Sequence, residues 1–109
     1  MKLPKKIIIG SAIYDVEHLD VHEAIGRSIS GEILYGGGKI RVGPYGDHSN
    51  VLNTLVHEIL HGVYQEYGLE NTEQIVQPAA NGLTTIFRDN PKLLKFMIKE
   101  AKKMRKDMK

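Results

Sequence analysis

The period of the hydrophobic pattern changes once along this 109-residue chain, and that change limits the folds open to it. Before the stretch GPYGD, residues 43–47, apolar residues alternate with polar ones or form short β-branched runs, as in strands. After it, apolar residues recur with the period of a helix face. The sequence therefore predicts an α+β protein with its strands first and its helices second.

The strand-like part begins with residues 6–19, KIIIGSAIYDVEHL, in which Gly10-Ser11 predicts a bulge or bend. A polar connection follows, with a short helix predicted around residues 21–25. Two further strand-like runs flank a glycine triplet, at residues 32–35 and 39–42. Glycine adopts the positive φ angles that tight turns need, so these two runs are predicted to form an antiparallel hairpin.

Residues 50–67 are predicted to form a long helix, with Asp47 or Ser49 as its N-cap. Gly68 stands where a left-handed residue commonly ends a helix. The apolar residues of this segment fall on one helical face: Leu52, Leu55, Val56, Ile59, Leu60 and Val63. That face is predicted to pack on the core.

A second helix is predicted from near Asn71, whose side chain could cap it, to Arg88 or Asp89. Pro78 removes a backbone hydrogen bond inside this segment, so a kink or a restart is expected there. The pair Asn90-Pro91 is predicted to end that helix and to begin a third, because proline suits the first position of a helix.

The length and composition of the chain limit the kinds of site that it can form. The length predicts a single domain over residues 1–109, and the absence of cysteine excludes disulfides, thiolate metal sites and cysteine nucleophiles.

No apolar run approaches the roughly 18 residues of a membrane span, and no secretion signal is recognised, so a cytoplasmic protein without a membrane partner is expected. The lysine-rich third helix, about 91–107, is interpreted as a solvated amphipathic helix, and nucleic acid is not a favoured partner.

The stretch TLVHEILHGVYQEYG carries the chemistry of the chain, because it contains the pattern H-E-x-x-H. His57 and His61 lie one helical turn apart, on a face away from the apolar stripe, and can together span a zinc ion. Glu58 projects to one side, where it would border the ion. Zinc acidifies a bound water toward neutral pKa, and Glu58 is predicted to activate that water as the catalytic base.

A catalytic zinc site usually has a third protein ligand. The long metzincin motif is excluded, because Tyr64 and Tyr67 occupy its glycine and histidine positions. The candidates that remain are Glu70 and Glu73. Glu73 is favoured because it falls in the first turn of the second helix, which Gly68 allows to fold back on the first.

Other polar residues are weaker candidates. His18 and His22 are interpreted as surface or pocket-rim residues, and His48 could reach the mouth of the site. The hydroxyl of a tyrosine could stabilise a developing oxyanion, and the candidates are Tyr35, Tyr45, Tyr64 and Tyr67. The sequence does not choose among them.

Several short motifs together resemble those of the minimal, gluzincin-type zinc metallopeptidase-like proteins of phages and prophages. They are Y-x-V at residues 14–16, G-x-I-x-Y at 31–35, I-x-V at 40–42, T-L-x-H-E-x-x-H at 54–61, G-L-E-x-x-E-x-x-V at 68–76, A-N-x-L at 80–83 and R-D-N-P at 88–91. The resemblance covers roughly residues 7–94.

This resemblance implies a zincin-like α+β fold: a small antiparallel sheet of about three strands packed on the H-E-x-x-H helix, and two further helices. It also implies a Zn²⁺-dependent peptidase in the cytoplasm of the host cell, acting on a peptide or protein. The ligands would be His57, His61 and Glu73, with Glu58 as the base. The alternative is a zinc-binding interaction or regulatory module that keeps the scaffold with little or no peptidase activity.

Overall fold

The computed structural model describes residues 2–43 and 48–108, with side chains described from residue 50 onward in the second range. These residues form four strands and four helices. The strands are β1 (Lys6–Ile9), β2 (Ala12–His18), β3 (Gly31–Leu34) and β4 (Lys39–Val42). The helices are α1 (Val21–Arg27), α2 (His48–Glu66), α3 (Glu73–Asp89) and α4 (Pro91–Asp107). The predicted α+β class is confirmed.

The strands make one mixed sheet in the order β1-β2-β4-β3. β3 and β4 pair antiparallel, as the hairpin prediction required, and β1 and β2 are antiparallel as well, but β2 and β4 are parallel. The expectation of about three antiparallel strands is therefore wrong. β4 takes the inner position because Ile40 and Val42 are both fully buried, whereas β3 carries Gly31 and Glu32 at the edge.

The additional strand arises because residues 6–19 form a hairpin and not one bent strand. Gly10 has a φ of 60°, which turns the chain between β1 and β2. The turn is held against the end of α2, since the backbone N–H of Ser11 donates to Oε1 of Glu66 over 2.8 Å. A Cβ atom on Gly10 would lie 2.7 Å from Cγ of Glu66, so a larger residue there would displace the side chain that holds the turn.

The short helix expected after β2 is present as α1. The carboxylate of Asp20 caps it by accepting hydrogen bonds from the backbone N–H groups of His22 and Glu23. Satisfying these two N–H groups is the usual role of an aspartate before a helix. α1 leads the chain from β2 to β3, at the edge of the sheet.

α2 packs across the sheet and buries most of the predicted apolar stripe. Its partly buried Leu55, Ile59 and Val63 contact a core formed by Ile9, Tyr14, Ile40, Val42 and Val51. Leu52 is the exception, because it is exposed. The close approach of helix and sheet depends on Gly62, where a Cβ atom would lie 2.7 Å from Cδ1 of Ile9.

The ends of α2 largely agree with the predicted bounds. The helix ends at Glu66, and Gly68 follows with a φ of 68°, the predicted left-handed conformation. Its start at His48 places Ser49 inside the helix, so Ser49 is not the residue that precedes it. The alternative cap, Asp47, lies outside the described residues.

α3 begins after Thr72, not after Asn71, and continues through Pro78 as one helix. Of the predicted kink or restart at Pro78, the restart is therefore wrong. Proline removes a single N–H from the helix, and α3 keeps its packing on both sides of the proline through the buried Val76 and Ala80. Packing against α2, its main neighbour, opposes a break at this point.

α4 agrees with its prediction, since Pro91 is its first residue and Asn90 precedes it. The side chain of Asn90, however, donates to the carbonyl of Ile86 in α3 and does not cap α4. α4 packs on α3 and buries none of its own residues. Among the described residues, no helix combines the length and hydropathy needed to span a lipid bilayer.

Candidate metal centre

Three potential metal-binding side chains converge where α2 faces the first turn of α3. Nε2 of His57 lies 3.1 Å from Nε2 of His61 and 3.2 Å from Oε1 of Glu73. Nε2 of His61 contacts the same carboxylate oxygen of Glu73. All three ligand atoms lie within 4.8 Å of one another. The structure thus brings together the three residues that the sequence proposes as zinc ligands.

The helix geometry explains how the two histidines meet. Residues four apart lie on one face of a helix, and the two imidazole rings have centroids 4.7 Å apart with an angle of 67° between their planes. Their side chains are only 12% and 11% exposed. The rings point away from the apolar stripe, but they face α3 and not open solvent.

A tight reversal brings Glu73 to the histidines. Gly68 takes the left-handed conformation, and the backbone N–H of Leu69 donates to the carbonyl of Tyr64 over 2.9 Å. Glu73 is the first residue of α3, and its side chain is 65% exposed. Glu70, the other candidate, is exposed in the connection and does not belong to the cluster.

Glu58 occupies a different environment from the ligands, because it is only 7% exposed. Burial raises its pKa to about 7, with smaller effects from His61, which lowers it, and from Glu73 and Glu32, which raise it. Gly31 helps to bury this carboxylate: a Cβ atom there would lie 3.6 Å from Cγ of Glu58 and 2.6 Å from Cγ2 of Thr54. The edge strand can therefore lie directly against α2.

A cavity of about 540 Å³ opens beside these groups. It is lined by Ile29, Ser30, Gly31, Gly43, Asn50, Asn53, Thr54, His57, Glu58, Glu73 and Gln77. The catalytic candidate Glu58 and two of the three ligand candidates therefore share one cavity, so a molecule bound there would reach both.

Asn71 makes contacts that the sequence did not reveal. Its Oδ1 lies 2.5 Å from Nδ1 of His61, and its Nδ2 donates to the hydroxyl of Tyr35 over 2.9 Å and to the carbonyl of His61 over 3.3 Å. The amide oxygen can only accept, so this contact favours the tautomer of His61 with a proton on Nδ1, in which the lone pair of Nε2 faces the cluster. The sequence pattern favoured a helix cap for Asn71, and no local signal indicates this role.

The remaining candidates that the structure describes do not belong to the cluster. The hydroxyl of Tyr35 donates to the carbonyl of His61 over 3.4 Å and does not line the cavity, and Tyr67 is exposed. His18 and His22 are exposed and lie outside the cluster. Tyr45 and the side chain of His48 lie outside the described part of the chain.

Comparison of the chain with protein-family models, with curated proteins and with solved structures gives no match. The function must therefore be argued from the site itself, since a fold alone does not define an activity.

Proposed function

We propose that the chain is a zinc-dependent peptidase of the minimal zincin type, in which His57, His61 and Glu73 hold one Zn²⁺ and Glu58 is the general base. The observation that carries this proposal is the convergence of the three ligand atoms next to the buried carboxylate of Glu58. Two imidazoles and one carboxylate are the ligand set of one well-known class of catalytic zinc sites.

Two of the three separations between the donor atoms are close to those around a zinc ion, and the contact between His61 and Glu73 is shorter. Ligands about 2.0 to 2.1 Å from a tetrahedral zinc are about 3.4 Å from one another. The separations of 3.1 Å and 3.2 Å in the cluster are close to that value. Imidazole nitrogens so close to each other repel unless a proton or a cation lies between them. A divalent cation would satisfy all three donors at once.

The contacts behind the imidazole of His61 support the same ligand set. A histidine that binds a metal commonly donates its other N–H to a carbonyl or carboxylate oxygen, which fixes its tautomer and its orientation. The contact between Nδ1 of His61 and Oδ1 of Asn71 is of this kind. Asn71 in turn donates to Tyr35, so α2, the loop before α3 and the turn after β3 hold one another in place.

Zn²⁺, when bound, supplies a Lewis acid that acidifies water and polarises a carbonyl oxygen. In the proposed mechanism Glu58 accepts a proton from the attacking water and passes it to the leaving amine. A carboxyl group with a pKa near the working pH suits both steps, and burial raises the pKa of Glu58 to about 7 in the metal-free protein. Its low exposure also keeps bulk water from competing for that proton.

An extended peptide can reach these groups along β3. This strand lies at the edge of the sheet, and in the described residues its outer side pairs with no other strand. Gly31 of β3 and the preceding Ser30 line the cavity beside Glu58. Pairing with an exposed strand edge is a common mode of peptide binding, and here it would carry the peptide backbone past the site.

The test is the Glu58→Gln variant, loaded with one equivalent of zinc and assayed against a peptide library. We expect zinc affinity to be retained and cleavage to fall by about 1,000-fold or more, because the loss of a general base alone costs 10²–10⁴. Glu70→Gln is the matched control and should behave like the unmodified protein.

Two outcomes would contradict the proposal in different ways. If the purified chain fails to bind zinc on titration, the metal site itself is wrong. If it binds one zinc but cleaves no peptide across several pH values, the site is that of a zinc-binding interaction module.

A further inference from the structure

The cavity extends well beyond the candidate metal centre. Its wall on α2 runs from His57 and Glu58 back to Asn50, which is about two helical turns, or about 10 Å. Its wall on α3 runs from Glu73 to Gln77, one further turn. The volume of about 540 Å³ falls inside the range of about 300 to 1,000 Å³ that is usual for ligand pockets. This extension has room for a substrate side chain next to the reacting bond.

The side chains that line this extension are nearly all polar and uncharged. Apart from the ligands, Glu58, the two glycines and one isoleucine, the described lining consists of Ser30, Asn50, Asn53, Thr54 and Gln77. No lysine or arginine is among these lining residues. Most ligand pockets are lined predominantly by apolar side chains, so this composition is unusual.

A network of hydrogen bonds between α2 and α3 holds two of these side chains. Nδ2 of Asn53 donates to Oδ1 of Asn81 over 3.0 Å and to Oγ1 of Thr84 over 3.3 Å. Nε2 of Gln77 donates to the same Oδ1 of Asn81 over 2.9 Å. Each amide is therefore held by its nitrogen and can offer its oxygen to a ligand. Anchored amides of this kind are preorganised for a partner that forms hydrogen bonds.

The charge and polarity of the cavity lining limit which substrate side chains can bind there. An apolar side chain would remove water from the amide oxygens of Asn53 and Gln77 without offering them a hydrogen bond, at a cost of about 1 to 3 kcal/mol for each group. With Zn²⁺ bound, the ion and the ionised carboxylates of Glu58 and Glu73 would sum to zero charge, so the described lining gives neither a cationic nor an anionic side chain a net attraction. A substrate side chain that forms hydrogen bonds but carries no charge therefore fits both the polarity and the charge of the cavity.

We propose that this cavity is the specificity pocket of the enzyme and selects substrates with an asparagine, glutamine, serine or threonine beside the scissile bond. This inference rests on the proposed peptidase function. Asn53 and Gln77 are its specificity-determining residues, because they carry the anchored amides. A site built to form hydrogen bonds rejects analogues that cannot form them, since its own polar groups are then covered and left without partners.

The experiment has a binding arm and a turnover arm, both on the full zinc-loaded chain. In the binding arm, Glu58→Gln is titrated with fluorescent peptides that differ at one position, which is polar and uncharged, apolar, acidic or basic. In the turnover arm, kcat/KM of the unmodified protein is measured for the same peptides. We expect the polar, uncharged peptides to be preferred by at least about 10-fold in both arms, corresponding to one lost hydrogen bond of about 1.4 kcal/mol.

The variants test whether the named residues set this preference. Gln77→Leu, at an exposed position, and the more buried Asn53→Leu should each shift the preference toward leucine peptides and leave zinc affinity unchanged. Gln65→Leu, on an exposed part of α2 outside the cavity, is the matched control. Gln77→Leu keeps the test decisive if Asn53→Leu proves unstable.

The outcomes separate this inference from the proposed function. Cleavage or binding without a preference for polar, uncharged side chains would overturn the specificity pocket and leave the peptidase intact. Selective binding by Glu58→Gln, together with no cleavage by the unmodified protein, would support the pocket and overturn the peptidase. Leucine variants that retain the original preference would show that Asn53 and Gln77 do not determine it.

Discussion

α2 and α3 build the candidate site together, but they hold their functional groups in different ways. α2 lies between the sheet and α3, and its Glu58 and His61 are almost completely buried. α3 packs on α2 and α4, and its Glu73 is 65% exposed. The groups on α2 are therefore placed by packing, whereas Glu73 is placed by a turn and by the histidines that it meets.

This difference suits the separate roles that we propose for the groups on the two helices. A base must be kept from bulk water and aimed accurately, and a rigid, buried helix does this. A third ligand on an exposed first turn can adjust to the ion, at the cost of weaker positioning. The removal of groups from α2 should therefore have larger effects than the removal of groups from α3.

The largest effect is expected from substitution of the proposed zinc ligands. His61→Ala should abolish stoichiometric zinc binding at micromolar protein, because it removes a buried ligand with a preset orientation. Glu73→Gln should weaken zinc binding by at least about 100-fold but leave it measurable, which is more than the 10- to 100-fold typical when a residue that hydrogen-bonds to a ligand is changed. Competition titration with a zinc chelator measures both, with Glu70→Gln as control. Equal affinity of Glu73→Gln and the unmodified protein would remove Glu73 from the ligand set.

The buried Glu58 should make the metal-free protein less stable as pH rises. Its folded pKa of about 7 exceeds its usual 4.5, so the folded state binds the extra proton between these values. That contribution is fully present below pH 4.5 and is lost as pH rises through 7. The loss is at most about 3 kcal/mol, from 1.36 kcal/mol per pKa unit. Urea unfolding of metal-free protein at pH 5 and pH 8 measures it.

Glu58→Gln is the control for this pH dependence, because glutamine does not ionise. Between pH 5 and pH 8 the variant should lose less stability than the unmodified protein, and the difference between the two isolates Glu58 from the other titrating groups. Parallel pH profiles of the two proteins would mean that Glu58 is not held in a desolvated site.

Asn71 should affect zinc binding without touching the ion. Asn71→Leu removes the oxygen that faces Nδ1 of His61, and we expect zinc affinity to fall by about 10- to 100-fold. Asn71→Asp keeps an acceptor oxygen and should restore most of the affinity. The ¹⁵N chemical shifts of His61 report its tautomer, and a purely structural role for Asn71 would leave that tautomer unchanged in the leucine variant.

The smallest effects concern glycines on the two helices. Gly62→Ala would place a Cβ atom 2.7 Å from Cδ1 of Ile9 and 3.1 Å from Cδ1 of Ile33, so it should destabilise the fold by about 1 to 3 kcal/mol. Gly82→Ala meets no atom within 4 Å and should stabilise α3 by about 0.5 to 1 kcal/mol. Urea unfolding of both variants compares the two helices directly. Similar effects of the two substitutions would mean that α2 is packed no more tightly than α3.

Much of the local structure could be predicted because it depends on neighbours in the chain. The β3–β4 hairpin, the helix over residues 48–66, its end at Gly68 and the start of α4 at Pro91 follow from glycine, proline and the period of apolar residues. The strand count was wrong because Gly10 was interpreted as a bend. Its turn is tied to Glu66, 56 positions further along the chain, which no local pattern shows.

By itself, the sequence determined the α+β order of elements and the placement of His57 and His61 on one helical face, because a helix has a fixed period. Only the tertiary structure decided which residues from separate elements meet. It inserted β4 between β2 and β3, brought Glu73 and Asn71 to the histidines, and buried Glu58 against the edge strand. The physical reason is that burial, hydrogen bonding and the raised pKa of Glu58 depend on distances between segments far apart in the chain, and packing of the whole chain sets those distances.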